Sequence, residues 1–532
     1  MKVLTAAEMR EVDRLTTERH GIPSLTLMEN AGRSVAEFIR RRFSHLERRQ
    51  IAVLSGKGNN GGDGFVTARH LLQMGAKPVV FLLASPGDMQ GDAATNRQRW
   101  QDAGGELRVV PDAPAWQSSK HALAQAGIIV DALLGTGVRG PVEGLLRDAI
   151  ESIKLRKRGS TVVSVDIPSG LSSDSWNPKA GCVIADYTVS FTAPKVGMLL
   201  GLAGDSVGQL TVCDIGSPAE LIEEVGKGKL LWSEPHEFSA IAAPRRPAGH
   251  KGDYGHALIV AGSLGKSGAA VLASWAALRT GAGLVTCATP ESVLPSVAPH
   301  TPEVMTEPLP ATGVGSISLR ALEAGRFASI LKGKRALAIG PGLSTHPDTQ
   351  KFVQAVVAQR DVPIILDADG LNAFAGRAHQ LRNPGGRLII TPHPGEMARL
   401  LGCETNDVQS RRVELALKAA ADWNACVVLK GHQTVIAAPD GHAYVNSTGN
   451  PGMGTGGTGD VLTGILAGLV AQYAHRADEF RLEQIVAFGV YLHGLAGDVA
   501  CADTGEAPLM ASDLIHAIPR AYRQFFAESG RG

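Results

Sequence analysis

The chain has 532 residues, 52 Lys plus Arg against 51 Asp plus Glu, and a hydrophobic share of 44%. It is longer than the roughly 250–300 residues at which a single core stops growing, its balanced charge offers no footprint for nucleic acid or an acidic membrane, and its apolar content excludes wholesale disorder. The 63 glycines are roughly 12% of the chain against a usual share of about 7%, and without a Gly-X-Y period they are not collagenous, so their placement is what needs explaining.

The opening MKVLTAAEMREVDRL carries charges and no apolar core segment, so no secretory signal is expected. Thr5-x-x-Glu8 predicts a capping box and a first helix with Met9, Val12 and Leu15 on one face. A second helix is predicted over about 25–43. Strands are then predicted at 51–54, 79–83, 128–134, 161–165, 188–191 and 210–213, separated by helical segments. Their two-faced apolarity fits a parallel sheet covered on both sides.

Residues 56–64, GKGNNGGDG, follow the first strand and precede a helix predicted over 65–74. That context suits a loop whose N–H groups approach an anion at a helix N-terminus. Gly56-x-Gly58-x-x-Gly61 matches the dinucleotide fingerprint by letter, but the second strand ends Leu82-Leu83-Ala84-Ser85, without the ribose-binding acid. Asp131 lies in the third predicted strand and Asp166-Ile-Pro-Ser169 ends the fourth. Ligands of an open parallel sheet sit at these carboxyl ends. Asn60, Asp131 and Ser169 offer hard oxygens for a monovalent cation or water. Asp63 and Asp166 are candidates for acid/base work, the alternative for Asp166 being an ordinary carboxylate opening the turn before Pro168.

Periodicity fades over about 217–251, which places a linker at 221–234 between a first domain, 1–220, and a second, 235–525. Strands are predicted at 257–261, 284–288, 336–339, 363–366, 388–391, 426–429 and 434–437, and closing helices from about Asp460, Leu482 and Ser512. Residues 449–459, GNPGMGTGGTG, lead into one of those helices. A backbone-rich loop there suits a transferring phosphoryl group, although no Gly-Lys-Ser/Thr ends it as in a Walker loop. Asp460 could accept a proton from an attacking hydroxyl, or merely sit favourably at a helix N-terminus. Lys430-Gly-His-Gln-Thr434 joins two strands, a place for a nucleotide's phosphate or ribose. His393, between prolines, reads as a substrate contact, and with no HxH or HExxH nearby a zinc role is not expected. Asp367 and Asp369 could bind magnesium or ribose, or cap a helix. The six scattered cysteines have no metal or redox spacing and read as reduced thiols in a cytoplasmic protein. The longest apolar stretch, about 464–471, is too short to span a bilayer.

NNGGDGFVTARHL, VDALLGTGVRGP, VDIPSGL and ADYTVSFTAPKVG together resemble the YjeF N-terminal family, the NAD(P)H-hydrate epimerases, over about residues 1–220. The resemblance implies a Rossmann-like fold and epimerisation at ring carbon 6 of hydrated NADH and NADPH. It also implies a potassium ion on Asn60, Asp131 and Ser169. Substrate contacts are implied at Asn59, Asn60, Gly61, Gly62, Asp63, Gly135, Thr136, Gly137, Val138, Arg139, Gly140, Pro141 and Asp166, with Asp166 favoured as the catalytic acid/base group.

HKGDYGHALIVAGSLGKSGAA, LDADGLN, TPHPGEMARLLG, KGHQTVI and NPGMGTGGTGDVLTG resemble the YjeF C-terminal domain, the ADP- or ATP-dependent NAD(P)H-hydrate dehydratase, over about 235–525. A ribokinase-like fold is implied, with catalysis by Asp460 and with ADP as co-substrate alongside magnesium. Nucleotide contacts are implied at Lys430, Gly431, His432, Gln433, Thr434 and Gly459, and dinucleotide contacts at Ala270, Gly342, His393 and Asp460. The expectation is an α/β, bifunctional, homo-oligomeric enzyme of small molecules, with no nucleic-acid or membrane partner. A ribokinase-like vitamin or small-molecule kinase with a regulatory first domain is the alternative.

Overall fold

Strands that are buried at every position need cover on both faces, and β1 (Ile51–Ser55) shows how it is provided. Ile51 and Val53 enter one buried cluster with Val35, Ile39 and Phe65, whereas Ala52 and Leu54 enter another with Trp116, Leu123 and Ile150. The computed structural model describes all residues except 138–139, 175–180, 200–203, 242–244, 360–361, 384 and 530–532. Lys2–Gly228 forms one compact unit, and Lys229–Gly532 with Met1 forms the other.

In the first unit β1 is joined by β2 (Pro78–Leu82), β3 (Glu106–Val109), β4 (Ile128–Ala132), β5 (Thr161–Val165), β6 (Tyr187–Phe191) and β7 (Gln209–Cys213). The seven strands are parallel, in the order β3-β2-β1-β4-β5-β6-β7. The order reverses between β1 and β4, so a crevice opens at their carboxyl ends, as in Rossmann-like folds. The first helix runs Ala6–His20 with the Thr5/Glu8 capping box formed, and Met9, Val12 and Leu15 are buried. β3 was not predicted, because three of its four residues are exposed at the sheet edge.

The glycine cluster at 56–64 departs from its predicted form. The helix begins at Asn59 and continues to Gln73, so NNGGDG is its first turns rather than a loop. None of its glycines has positive φ. A Cβ at Gly61 would lie 1.9 Å from the Gly56 carbonyl oxygen, and one at Gly64 would lie 2.7 Å from Ser55 Oγ. Glycine is needed there for close helix–sheet packing, not for a flexible phosphate loop.

The second unit carries a ten-stranded sheet built from β8 (Leu230–Trp232), β9 (His256–Val260), β10 (Leu284–Pro290), β11 (Met305–Leu309), β12 (Ala336–Ile339), β13 (Ile364–Leu366), β14 (Leu388–Ile390), β15 (Cys426–Leu429), β16 (Val435–Ala437) and β17 (Ala443–Val445). The order is β11-β10-β9-β12-β13-β14-β15-β16-β17-β8, parallel except that β16 runs antiparallel to both its neighbours. This is an α/β layer with its own order reversal between β9 and β12. Part of the expected linker is ordered: residues Ala219–Val225 form a helix, and β8 pairs with β17 at the sheet edge. The helix Leu482–Thr504, with mean hydropathy 1.6, is longer than the 464–471 stretch singled out in the sequence. It is a core helix, packed with Leu466, Leu514 and Phe525 in one cluster.

Candidate functional site

In the first unit β1, β4, β5 and β6 deliver their polar groups to one end. Asp131, fully buried on β4, accepts from Ser164 Oγ at 2.8 Å, from Ser169 N at 2.9 Å and from Ser169 Oγ at 2.5 Å. Burial pushes its carboxyl up, and the Ser169 and Ser164 hydrogen bonds oppose that. Asn60 donates to the Leu134 carbonyl at 3.0 Å, while its own Oδ1 is buried with no hydrogen-bond partner. Asp166 follows β5 with φ +64°, and Thr192 follows β6 with φ +63°. Each is spanned by a tight turn, Ile167 N to Val165 O at 2.8 Å and Ala193 N to Phe191 O at 2.7 Å. Such strained positions cluster where a side chain must be aimed. Here they bring Asp166 against Lys195, whose fully buried ammonium donates to Asp166 Oδ1 at 2.5 Å, Ser190 Oγ at 2.8 Å and the Phe191 carbonyl at 3.1 Å. Asp63 completes the group. Burial, then Asp166 and Asp13, hold its carboxyl well above the ordinary range against the pull of Lys195. Asp13, on the first helix, is pushed up to about 6 by enclosure, with Lys195 opposing and Asp166 adding.

In the second unit the carboxyl ends of β12 to β15 converge likewise. Gly340, with φ +136°, lets the chain pass where a Cβ would meet the Asp367 carbonyl oxygen at 1.7 Å. Asp367 is buried and accepts from Lys430 Nζ and Thr463 Oγ1, each at 2.8 Å. Burial favours the neutral amine of Lys430, but Asp367 and Glu396 outweigh it and hold the ammonium above the ordinary lysine range. The same Lys430 Nζ lies 3.6 Å from where a Cβ on Gly459 would sit, so the lysine reaches the first turn of the helix Thr458–Tyr473. Asp460 stands on that turn. Burial, then the nearby Asp367, pushes it up to about 7, with Lys430 opposing. Asp369 accepts from Lys266 Nζ at 3.0 Å and Ser344 N at 2.9 Å. In the second glycine cluster, Gly456 has open space beside it and Gly457 has φ +93°, so the stretch just before the helix is a true loop.

The family described as NAD(P)H-hydrate dehydratase matches residues 257–520, and that of the YjeF-related protein N-terminus matches residues 24–197. The bifunctional NAD(P)H-hydrate repair enzyme Nnr of Moorella thermoacetica is 44% identical over 99% of this chain and 98% of its own length. The chain belongs to the bifunctional NAD(P)H-hydrate repair enzyme family. The Thermofilum pendens repair enzyme is 40% identical over 98% of this chain and 96% of its own. A crystal structure of the ADP/ATP-dependent NAD(P)H-hydrate dehydratase from Bacillus subtilis, co-crystallised with ATP and magnesium, is 36% identical, covers 56% of this chain and 98% of its own, and superposes with a TM-score of 0.46.

Within this repair-enzyme chain most of the predicted residues gather at the two crevices. Asn60, Asp63, Asp131, Asp166 and Ser169 lie together in the first unit. Gly135 borders Asn60, since a Cβ there would be 3.3 Å from the asparagine's Cβ. Thr136 accepts from Ser173 Oγ through its carbonyl, whereas Val138 and Arg139 lie outside the described residues. In the second unit Lys430, Gly459 and Asp460 adjoin, and Thr434 and Gly431 share the turn between β15 and β16, where Thr434 Oγ1 donates to the Gly431 carbonyl at 2.9 Å. Two of the expected contacts have notable surroundings. Ala270 is fully buried, whereas Gly268 before it is exposed and Ala269 half-buried. His393 Nδ1 caps its own helix, accepting from Gly395 N at 3.0 Å, and its Nε2 lies 3.4 Å from Glu396 Oε1. The sequence reading missed Lys195 and Asp13. A lysine embedded in the run SFTAPKVGMLL was the available signal for the first, and nothing local marked the second.

Proposed function

We propose that the first unit interconverts the two epimers of hydrated NADH and NADPH, and that the second dehydrates one of them at the expense of ADP, giving AMP and phosphate. The observation that carries this reading is Asp460, its carboxyl raised to about 7 on the first turn of a helix, next to an open glycine loop and a half-buried lysine. The hydroxyl at ring carbon 6 gives its proton to Asp460 and attacks the terminal phosphorus of ADP. Lys430 and the backbone N–H groups of the 454–459 loop balance charge on the moving phosphoryl group. The ring-nitrogen lone pair then expels phosphate from carbon 6, a proton leaves carbon 5, and the double bond returns. Leaving as phosphate avoids expelling hydroxide.

In the first unit, the carbon-6 hydroxyl departs as water when Asp63 supplies a proton, again pushed by the ring nitrogen. Water returns on the other face of the ring and gives its proton to Asp166, seated against Lys195. The raised Asp63 carboxyl suits an acid at neutral pH, and the Asp166–Lys195 pair suits a base. The unpartnered Asn60 Oδ1 beside Asp131, Ser169 and the Leu134 carbonyl fits a potassium ion, which takes neutral oxygens with a single carboxylate. Bound there, potassium would supply positive charge for the substrate's phosphates. Magnesium fits differently. Among the described residues no cluster of three ligating side chains exists, and Asp367 and Asp369 already accept from lysines. It would be held chiefly by the nucleotide's phosphates and would neutralise their charge. The six free cysteines support a reducing, cytoplasmic setting.

The test is recovery of NADH absorbance from a mixture of both hydrate epimers with ADP, magnesium and potassium. Asp460→Asn is expected to abolish recovery and spare epimer exchange, and Asp166→Ala to do the reverse. Recovery retained by Asp460→Asn would overturn the base assignment.

A further inference from the structure

At the end of the second sheet remote from Lys430, where β9 and β10 begin, lies a cavity of about 610 Å³. It is bounded by the last turns of two helices, Ser267–Arg279 and Thr458–Tyr473. Tyr254 and Tyr473 give it aromatic walls, and Arg245, Arg246, Arg279 and Arg476 line it. The Arg245 guanidinium lies 3.9 Å from the Tyr254 ring centroid and donates to the Gly281 carbonyl at 2.5 Å, which fixes it in place. Arg476 is paired with Glu479. Among the described residues neither Arg246 nor Arg279 forms a salt bridge. Four guanidiniums thus face two lining carboxylates, Asp253 and Glu479. The two helix C-termini together offset about one positive charge, and the rest faces the open cavity. Burial, then Arg335 and Arg476, hold the His475 imidazole below the ordinary value.

We propose that this cavity is a second ligand site, for a small anion carrying a planar aromatic ring, the chemistry of a nucleotide, and that its occupancy is transmitted to the catalytic end. The volume is that of a ligand pocket, and the lining pairs stacking surfaces with guanidiniums that recognise phosphate. The route is the pair of bounding helices. A Cβ at Gly464 would lie 2.1 Å from the Ala273 carbonyl oxygen, and one at Gly468 would lie 2.7 Å from that of Ala277. The helices therefore touch backbone to backbone and shift together. One carries Asp460 in its first turn and Tyr473 in its last, about 20 Å away. The other begins beside Lys266, which holds Asp369. The transmission rests on the catalytic role proposed for Asp460, whereas the binding does not.

The test is equilibrium dialysis of the full chain against radiolabelled ATP, comparing wild type with the double variant Arg246→Ala/Arg279→Ala, whose positions are exposed. The wild type is expected to hold one more equivalent of ATP than the variant, and tripolyphosphate to displace that equivalent better than adenosine. With ADP and magnesium saturating, added ATP is expected to change the wild-type dehydration rate at least two-fold beyond its effect on the variant. Equal stoichiometry in the two proteins overturns the proposal. Equal stoichiometry with a variant that sediments as a smaller species assigns the cavity to contact with a second copy of the chain instead. An extra equivalent without the rate difference overturns the transmission alone. If the wild type dehydrates nothing, the catalytic reading fails while the dialysis still decides the site.

Discussion

Replacing Asp460 with asparagine separates the cost of the catalytic carboxyl from its use. In the folded chain burial and Asp367 raise Asp460 from the ordinary 3.8 to about 7. The unfolded chain sheds that proton near the ordinary value, so between about pH 4 and pH 7 the folded state holds more protons than the unfolded. Stability therefore falls as pH rises through this window, and the cost is complete above it. At about 1.4 kcal/mol per pH unit of displacement, the ceiling is about 4 kcal/mol. Asparagine keeps the shape and does not ionise. The variant is expected to gain about 2–4 kcal/mol over wild type at about pH 8.5 and almost nothing at about pH 4, while losing nucleotide-dependent recovery of NADH. Urea unfolding of both proteins at the two pH values, followed by a probe in the second unit, measures the difference. A gain that is the same at both pH values, or absent at the higher one, refutes the electrostatic account. In the wild type kcat/KM for dehydration is expected to rise with pH through about 7, not about 4, because the base must be ionised to act.

Gly61→Ala is expected to destabilise the first unit by more than about 3 kcal/mol, because the new methyl would sit 1.9 Å from the Gly56 carbonyl oxygen and neither backbone segment can yield. Epimer exchange should be lost and dehydration kept, a pattern that activity assays on one preparation read directly. Lys195→Met removes the ammonium held against Asp166 and leaves the carboxylate beside Asp63 and Asp13 without a counter-charge. Epimer exchange should fall by at least about 100-fold, with its pH optimum displaced upward, and an unchanged pH profile would count against the pairing. Exchanging potassium for a large organic cation should lower the melting temperature of the wild type, by loss of a ligand bound only to the folded state. Asn60→Ala, which removes the unpartnered oxygen, should melt alike in both salts.

Much of the first unit was legible because its strands are buried on both faces and read as unbroken apolar runs. β5 was predicted to the residue, and the Thr5 cap fixed the start of the first helix. β3, β8, β11 and β17 escaped. Three of β3's residues are exposed, β8 and β17 have three residues each, and β11 is exposed at three of its five positions. Propensity cannot outvote context in such short or open segments. The two glycine clusters looked alike as strings, yet they do opposite things. One packs a helix against a sheet and the other leaves a loop open, because what each glycine touches depends on the neighbouring strand and helix.

Two α/β domains, the carboxyl-end loops, and the candidates Asp63, Asp131, Asp166, Lys430 and Asp460 could be read along the chain, since they stand in strings tied to strand ends. Which of them share a field was set by folding. Asp13, Asp63 and Asp166 come from three distant segments and meet around Lys195, and Lys430 reaches both Asp367 and the turn that holds Asp460. Protonation depends on distance and burial in three dimensions, and neither is a property of spacing along the chain.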